Sequence, residues 1–290
     1  MDYRNSKWAN DILKLQQDNG SWGYFHSLSY PVSNQPITTE QALRRLKILG
    51  YTKEDKPIKK AMNYLQNCLS GKEKILDRVE KFHNWKIFTE LMFSTWIKIY
   101  SYENKLANEI VRKWSCIINK TFETGQYNST SYISEYNKIF GIVPKGGRLI
   151  NFDSFYQISL LCNNLNKNIE PIFFKNVLEL EKGIYYIYGN KLLTVPKVFK
   201  SKNTNWYINA IELLAEYNNV ECKKQLDFVV KWLKKNMIEE NKWDMGIESK
   251  DGINFPLSDS WRKVEDRIKD CTYRIEKLIN KIEKENRNIA

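Results

Sequence analysis

Apolar residues recur along this chain in two helical patterns. The first is a single stripe: Trp8, Ile12 and Leu15; Ile58, Met62, Leu65 and Leu69; Leu106, Ile110, Trp114 and Ile117; and Cys222, Leu226, Val229, Leu233 and Met237. Spacings of three and four with a Lys-rich opposite face predict helices that bury one side and wet the other. The second pattern is apolar on nearly every side. Between Trp85 and Tyr100 it includes Ile87, Phe88, Leu91, Met92, Phe93, Trp96, Ile97 and Ile99, and the segments 152–165 and 206–217 read alike. Helices of that kind are buried, so the pattern predicts an all-α fold with an outer and an inner helical layer.

Turn chemistry separates the two kinds. In Gln16-Gln17-Asp18-Asn19-Gly20-Ser21-Trp22-Gly23 the Asp-Asn-Gly run is expected to close a helix spanning Tyr3 to Gln17, because Asn and Gly tolerate the left-handed conformation that follows a helix. A Gly-x-aromatic turn recurs as Gly125-Gln126-Tyr127 and Gly183-Ile184-Tyr185, as the variant Asn241-Lys242-Trp243, and more weakly at Gly71. The aromatic slots fall at 22, 73, 127, 185 and 243, in steps of 51, 54, 58 and 58, which is the mark of an internal repeat.

Local signals mark other boundaries. Thr38-Thr39-Glu40-Gln41 contains a capping box that starts a helix to Leu49, stopped by Gly50. Asp55 is placed to cap the next helix, with Pro57 in its first turn. The stretch 183–193, rich in Tyr and Ile between turn formers, predicts a short β-hairpin. From Asp259 to about Arg287 a narrow seam of Trp261, Val264, Ile268, Cys271, Ile275, Leu278 and Ile282 predicts one long helix. Its first half would close the ring of repeats, and its second half would pack on the surface or pair with a second chain as a homodimer. The expected division is therefore repeats over 1–258 and a C-terminal helix over 259–290.

Composition narrows the partners. The formal net charge is +12, yet the basic residues are spread along the chain without a run of five or more, which argues against specific nucleic-acid binding. The five cysteines are scattered without a C-x-x-C pair and read as reduced thiols, and two histidines exclude any metal site built on several imidazoles. No apolar run is long enough to span a bilayer, and the N-terminus carries no basic region followed by an apolar one, so a cytoplasmic protein is expected.

Helix, Q-x-x-x-G-x-W turn, helix, repeated every 50 to 60 residues, resembles the QW repeat of squalene-hopene and related terpenoid cyclases and of the protein prenyltransferase superfamily. Gln16, Gly20 and Trp22 match the three fixed slots; the copy at Trp243 has Met237 and Asn241 in the Gln and Gly slots. The resemblance implies an α/α toroid of about five to six helical hairpins around a central cavity. It implies a small, mostly apolar, isoprenoid-like ligand there. The catalytic signatures do not carry over: the sequence has no D-x-D-D box, no D-D-x-x-D box, no His after His83 for a zinc triad, and no C-G-E-Q thioester motif.

Candidate chemistry lies at the starts of the inner helices. A polar residue stands just before an aromatic in His83-Asn84-Trp85, Asp153-Ser154-Phe155-Tyr156, Asn203-Thr204-Asn205-Trp206 and Asp259-Ser260-Trp261, with Thr39-Glu40 in the equivalent place of the first pair. Capping alone would explain these polar residues. Read functionally, His83 is the proton carrier, Asp153, Asp259 and Glu40 are its carboxylate partners, and the free amides of the helix starts would face the same rim. Trp85, Trp96, Phe155, Tyr156, Trp206 and Trp261 would line the cavity, and Arg262 and Arg44 would hold an anionic group. His26, in the loop after the first turn, is a second proton carrier if it is not simply a surface residue. The competing reading is a noncatalytic scaffold or interaction module that keeps the fold without the chemistry.

Overall fold

Twelve α-helices and one 3-10 turn make up the regular structure among the described residues of the computed structural model, which are 3–26, 36–77, 79, 84–100, 103–144 and 152–283. In chain order they are α1 (Lys7–Lys14), α2 (Thr39–Ile48), α3 (Lys56–Leu69), α4 (Trp85–Ile99), α5 (Lys105–Thr121), α6 (Ser129–Phe140), α7 (Phe155–Leu161), α8 (Glu170–Glu179), α9 (Lys202–Leu214), α10 (Val220–Lys224), α11 (Asp227–Lys235) and α12 (Val264–Glu283), with the 3-10 turn at Ile247–Ser249. The fold is all-α. Backbone packing divides the chain into two compact units, Met1–Ile110 with Asp251–Trp261, and Val111–Lys250 with Arg262–Ala290, the division falling within α5.

In the first unit α1 packs on α2 and α3 on α4. Helix α4 buries Ile87, Phe88, Leu91, Met92, Phe93, Trp96 and Ile97, as its all-round apolar pattern requires. The capping box forms as expected: Thr38 accepts the Gln41 N–H, and the Gln41 side chain accepts the Thr38 N–H. The Asp55 side chain makes no bond to the amides of α3; its carboxylate instead accepts the Thr52 N–H at 2.7 Å. Arg45, buried on α2, donates to the carbonyls of Ile253 (2.7 Å) and Pro256, which ties the segment 251–261 to this helix.

In the second unit α8 packs on α10, and α10 and α11 pack on α12. The long helix begins at Val264 and not at Asp259, because Trp261 leaves the seam to stack on Phe255 at 4.8 Å. Cys271, Ile275, Leu278 and Ile282 are buried within the chain, Ile268 is half-buried, and Val264 at the head of the helix is 54% exposed. The β-hairpin expected over 183–193 reduces to a single antiparallel bridge, Ile184 with Tyr188; Tyr186 sits at φ 73° inside this tight turn, which leaves no length for paired strands. Two helices escaped the sequence reading. One is α6, capped by the Asn128 side chain and stopped by Gly141 at φ 71°; the other is α8, with Pro171 in its first turn.

The turns share a backbone device. Gly20, Gly71, Gly125, Gly183 and Asn241 all take positive φ, at 97°, 75°, 85°, 57° and 54°. Each of the four glycines donates its N–H to the carbonyl three residues earlier, at 2.9 to 3.1 Å. The two Trp turns agree further. Gln17 N–H donates to Ser21 O (2.9 Å) and the Trp22 indole to Ile12 O (2.8 Å); 221 positions later Ile238 N–H donates to Lys242 O (2.9 Å) and the Trp243 indole to Leu233 O (2.7 Å). The backbone N–H of each Trp also reaches a threonine hydroxyl on a later helix, Thr39 Oγ1 for Trp22 (2.9 Å) and Thr272 Oγ1 for Trp243 (3.1 Å). A buried indole needs a partner for its single donor, and in both turns it takes a carbonyl near the end of the preceding helix.

Candidate functional site

The N-terminus of α2 shows how the first unit uses its polar groups. The Thr39 and Glu40 amides, orphans of a helix start, donate to the carbonyls of Tyr24 (2.8 Å) and Phe25 (3.0 Å). The Gln41 amide goes to the capping box, so these N–H groups face the preceding turn and do not offer an anion site. The Glu40 carboxylate, 2% exposed, accepts the Trp96 indole N–H at 3.0 Å and lies 3.9 Å from the Arg44 guanidinium. Arg44 also stands over the Trp96 ring, 5.9 Å from its centroid. Glu40, Arg44 and Trp96 are thus one buried polar brace between α2 and α4. A carboxylate placed in this way satisfies an indole and stands beside a cation.

Gln16 completes the brace on the other side of the turn. Its amide donates to Gly20 O (3.0 Å) and to Pro57 O at the start of α3 (2.8 Å). Met237, in the equivalent slot, accepts the Asn241 N–H on sulfur at 3.3 Å, so the contact across the turn persists with its direction reversed. His26 is not a surface residue as its loop setting suggested. It is buried, its backbone N–H donates to Asp77 Oδ2 (2.7 Å), and its ring meets the Phe88 ring edge to face at 5.8 Å.

The remaining candidates of this unit scatter in environment. His83 lies outside the described residues. Trp85 is half-buried at the start of α4, with its ring 6.0 Å from Phe88; Asn84 caps that start by accepting the Ile87 N–H, which is the capping reading. Asp259 is exposed and heads no helix; its carbonyl accepts the Lys7 ammonium at 2.7 Å. Trp261 is buried against Phe255.

In the second unit Arg262 is exposed, and Trp206 is 41% exposed with the Lys202 ammonium 5.2 Å from its ring centroid. The cap of α9 is Ser201, which accepts the Thr204 N–H. Asn205, expected among the caps, is buried: it donates to Ser249 O (2.8 Å) and accepts from Arg274, whose guanidinium also forks onto both Glu212 oxygens at 2.7 Å. A second fork joins Arg267 to Asp244 at 2.7 and 3.0 Å, with Lys200 at 3.6 Å. Burial alone would raise the Asp244 carboxyl; the Arg267 bonds, the Gly246 amide and Lys200 outweigh it and hold the carboxyl below its ordinary range. The signal for these networks was present on α12, where Arg267, Asp270 and Arg274 fall on the same buried stripe as Cys271, Ile275 and Leu278.

Asp153 differs from the other candidates. Half-buried just before α7, it has a carboxyl raised above its ordinary range by burial, against the pull of its own backbone amide and the Lys182 charge. Its carbonyl accepts the Tyr185 N–H at 2.8 Å, and Tyr185 returns its carbonyl to the Phe155 N–H at 3.1 Å, which locks the 183–188 turn onto the head of α7. Aromatic rings crowd this junction. Tyr127 lies 5.4 Å from Phe152, Tyr185 4.0 Å from Tyr186, and Tyr186 5.6 Å from the buried Tyr156. The Tyr127 phenol is raised by burial and then by the Asp153 charge, so the two groups sense one another. Tyr127, Tyr185 and Tyr186 are half-buried, so aromatic surface around this carboxyl reaches solvent.

Among the described residues no three His, Cys, Asp or Glu side chains group as metal ligands, and no helix is long and apolar enough to cross a membrane. No protein-family model, curated protein or solved structure matches the chain.

Proposed function

We propose that this chain is a divergent relative of the terpenoid cyclases and prenyltransferases, built of helical-hairpin repeats of the kind those families close into an α/α toroid, and that it binds a small, mostly apolar, isoprenoid-like ligand beside Asp153. The repeat half of the reading is supported by the two Trp turns, whose hydrogen bonds coincide at a separation of 221 residues. The observation that carries the functional half is Asp153, whose carboxyl is made less acidic by burial at a junction of aromatic side chains that still reach solvent. An apolar chain bearing one hydroxyl suits such a place, with the tyrosine faces taking the hydrocarbon and the carboxyl taking the polar end.

A second reading, a noncatalytic scaffold, is favoured by Glu40, whose buried carboxylate accepts the Trp96 indole and lies beside the Arg44 guanidinium as a structural brace would. Titration with farnesol, followed by tryptophan fluorescence, separates the two. The ligand reading expects saturable binding by the parent, weakened about tenfold in Asp153→Asn and in Tyr185→Ala, on the order of one good polar or aromatic contact. Affinity that is equal in all three proteins, or no saturation in any, would leave the scaffold reading.

A further inference from the structure

Beyond that site, we infer that the second unit carries a docking face for an anionic lipid bilayer, formed where the 197–200 loop, the first turn of α9 and the 246–250 segment meet. Three contacts bring these segments together. Thr204 Oγ1 donates to Val198 O at 2.9 Å, Asn205 Nδ2 donates to Ser249 O at 2.8 Å, and Gly246 approaches Lys200 so closely that a Cβ there would lie 2.9 Å from the lysine Cβ. Phe199 turns inward onto Trp232 at 5.2 Å and Trp232 meets Tyr207 at 5.4 Å, so the loop is pinned from beneath.

From this pinned junction each segment turns one large apolar side chain to solvent: Val198 at 63%, Trp206 at 41% and Ile247 at 52% exposure. Single exposed apolar residues are ordinary; three on mutually contacting segments, interleaved with Lys197, Lys202 and Lys250, all exposed, are a different arrangement. Lys200 is engaged with Asp244, and Glu248 is the acid of the 3-10 turn. An indole with an ammonium over its ring, with branched aliphatics and long lysines exposed on the segments that contact its own, matches the chemistry of a bilayer interface: the indole sits at headgroup depth and the lysines meet lipid phosphates. An acidic peptide would use the lysines and leave Val198 and Ile247 without a role.

The test is co-sedimentation of the full chain with vesicles of phosphatidylcholine alone and with about 30% phosphatidylserine, at about 0.1 M salt so that distant charges are screened. The parent is expected to partition onto the anionic vesicles and not onto the neutral ones. Trp206→Ala and Ile247→Ser leave the net charge untouched; each should weaken partitioning about five- to tenfold with an unchanged melting temperature. Failure of the parent to bind, or equal partitioning of parent and both variants, would overturn the inference, the latter assigning the binding to net charge. Soluble poly-glutamate bound with the same sensitivity to Trp206→Ala would overturn it in favour of an acidic protein partner.

Discussion

Replacing Trp22 tests the turn around which the first unit is arranged. The side chain is fully buried, its indole bonds the Ile12 carbonyl at 2.8 Å, and its backbone N–H reaches Thr39. Trp22→Ala removes the ring and opens a cavity, a loss of about 3–5 kcal/mol for a large aromatic. Trp22→Phe keeps most of the volume but deletes the donor; the Ile12 carbonyl keeps the Leu15 N–H at 3.1 Å, so the loss is that of one hydrogen bond, about 1 kcal/mol. Trp243→Ala and Trp243→Phe should repeat the same two values, because the indole of Trp243 makes the same bond to Leu233. Trp206→Ala, at a surface indole, should stay within about 0.5 kcal/mol of the parent. Equilibrium urea unfolding followed by far-ultraviolet circular dichroism reads all five. A Trp22→Phe protein as stable as the parent would show that the indole bond does not brace the turn.

Two glycines with similar φ separate backbone strain from space. Gly20→Ala would place a Cβ 2.4 Å from the Lys60 carbonyl oxygen and should cost upward of about 2 kcal/mol, whereas Gly125→Ala, at φ 85° with nothing within 4 Å, should cost only about 1 kcal/mol by urea unfolding. Asn241→Gly, at φ 54°, should stabilise by about 0.5 kcal/mol, read as a higher melting temperature; a lower one would refute the left-handed assignment. Arg267→Met should cost about 3 kcal/mol near neutrality by leaving the Asp244 carboxylate buried without its fork. Because the folded-state carboxyl is held below its unfolded value of about 3.9, its contribution is complete above that value and lost as pH falls through the folded one. The deficit of the variant should therefore shrink on acidification, and a deficit that grows would reverse the argument.

Helices with a strong period and explicit punctuation were legible in the sequence. Helix α4 is buried as its all-round apolar pattern requires, and the Thr38–Gln41 capping box forms as written, because it depends only on residues three apart. What failed depended on long-range partners. Asp259 precedes the seam yet heads no helix: Trp261, read as its first member, packs on Phe255 instead, and the helix starts at Val264. Asn205 looks like a cap and is instead drawn inward by Arg274, 69 residues away. Tyr185 and Tyr186 carry β-forming side chains, but a positive φ at Tyr186 folds them into a turn locked to α7. Glu40 and Asp153 occupy similar places in sequence and differ in what surrounds them: Glu40 meets an indole and a guanidinium, while Asp153 has a carboxyl made less acidic by burial.

The binding reading at Asp153 is tested most directly by photo-cross-linking the full chain with a diazirine-bearing fifteen-carbon isoprenoid alcohol and mapping the labelled residues by mass spectrometry. The account expects label concentrated on Tyr127, Asp153, Tyr185 and Tyr186, competed away by unlabelled farnesol and reduced in Asp153→Asn. Label that resists competition, or that falls on other parts of the chain with these residues bare, would contradict it.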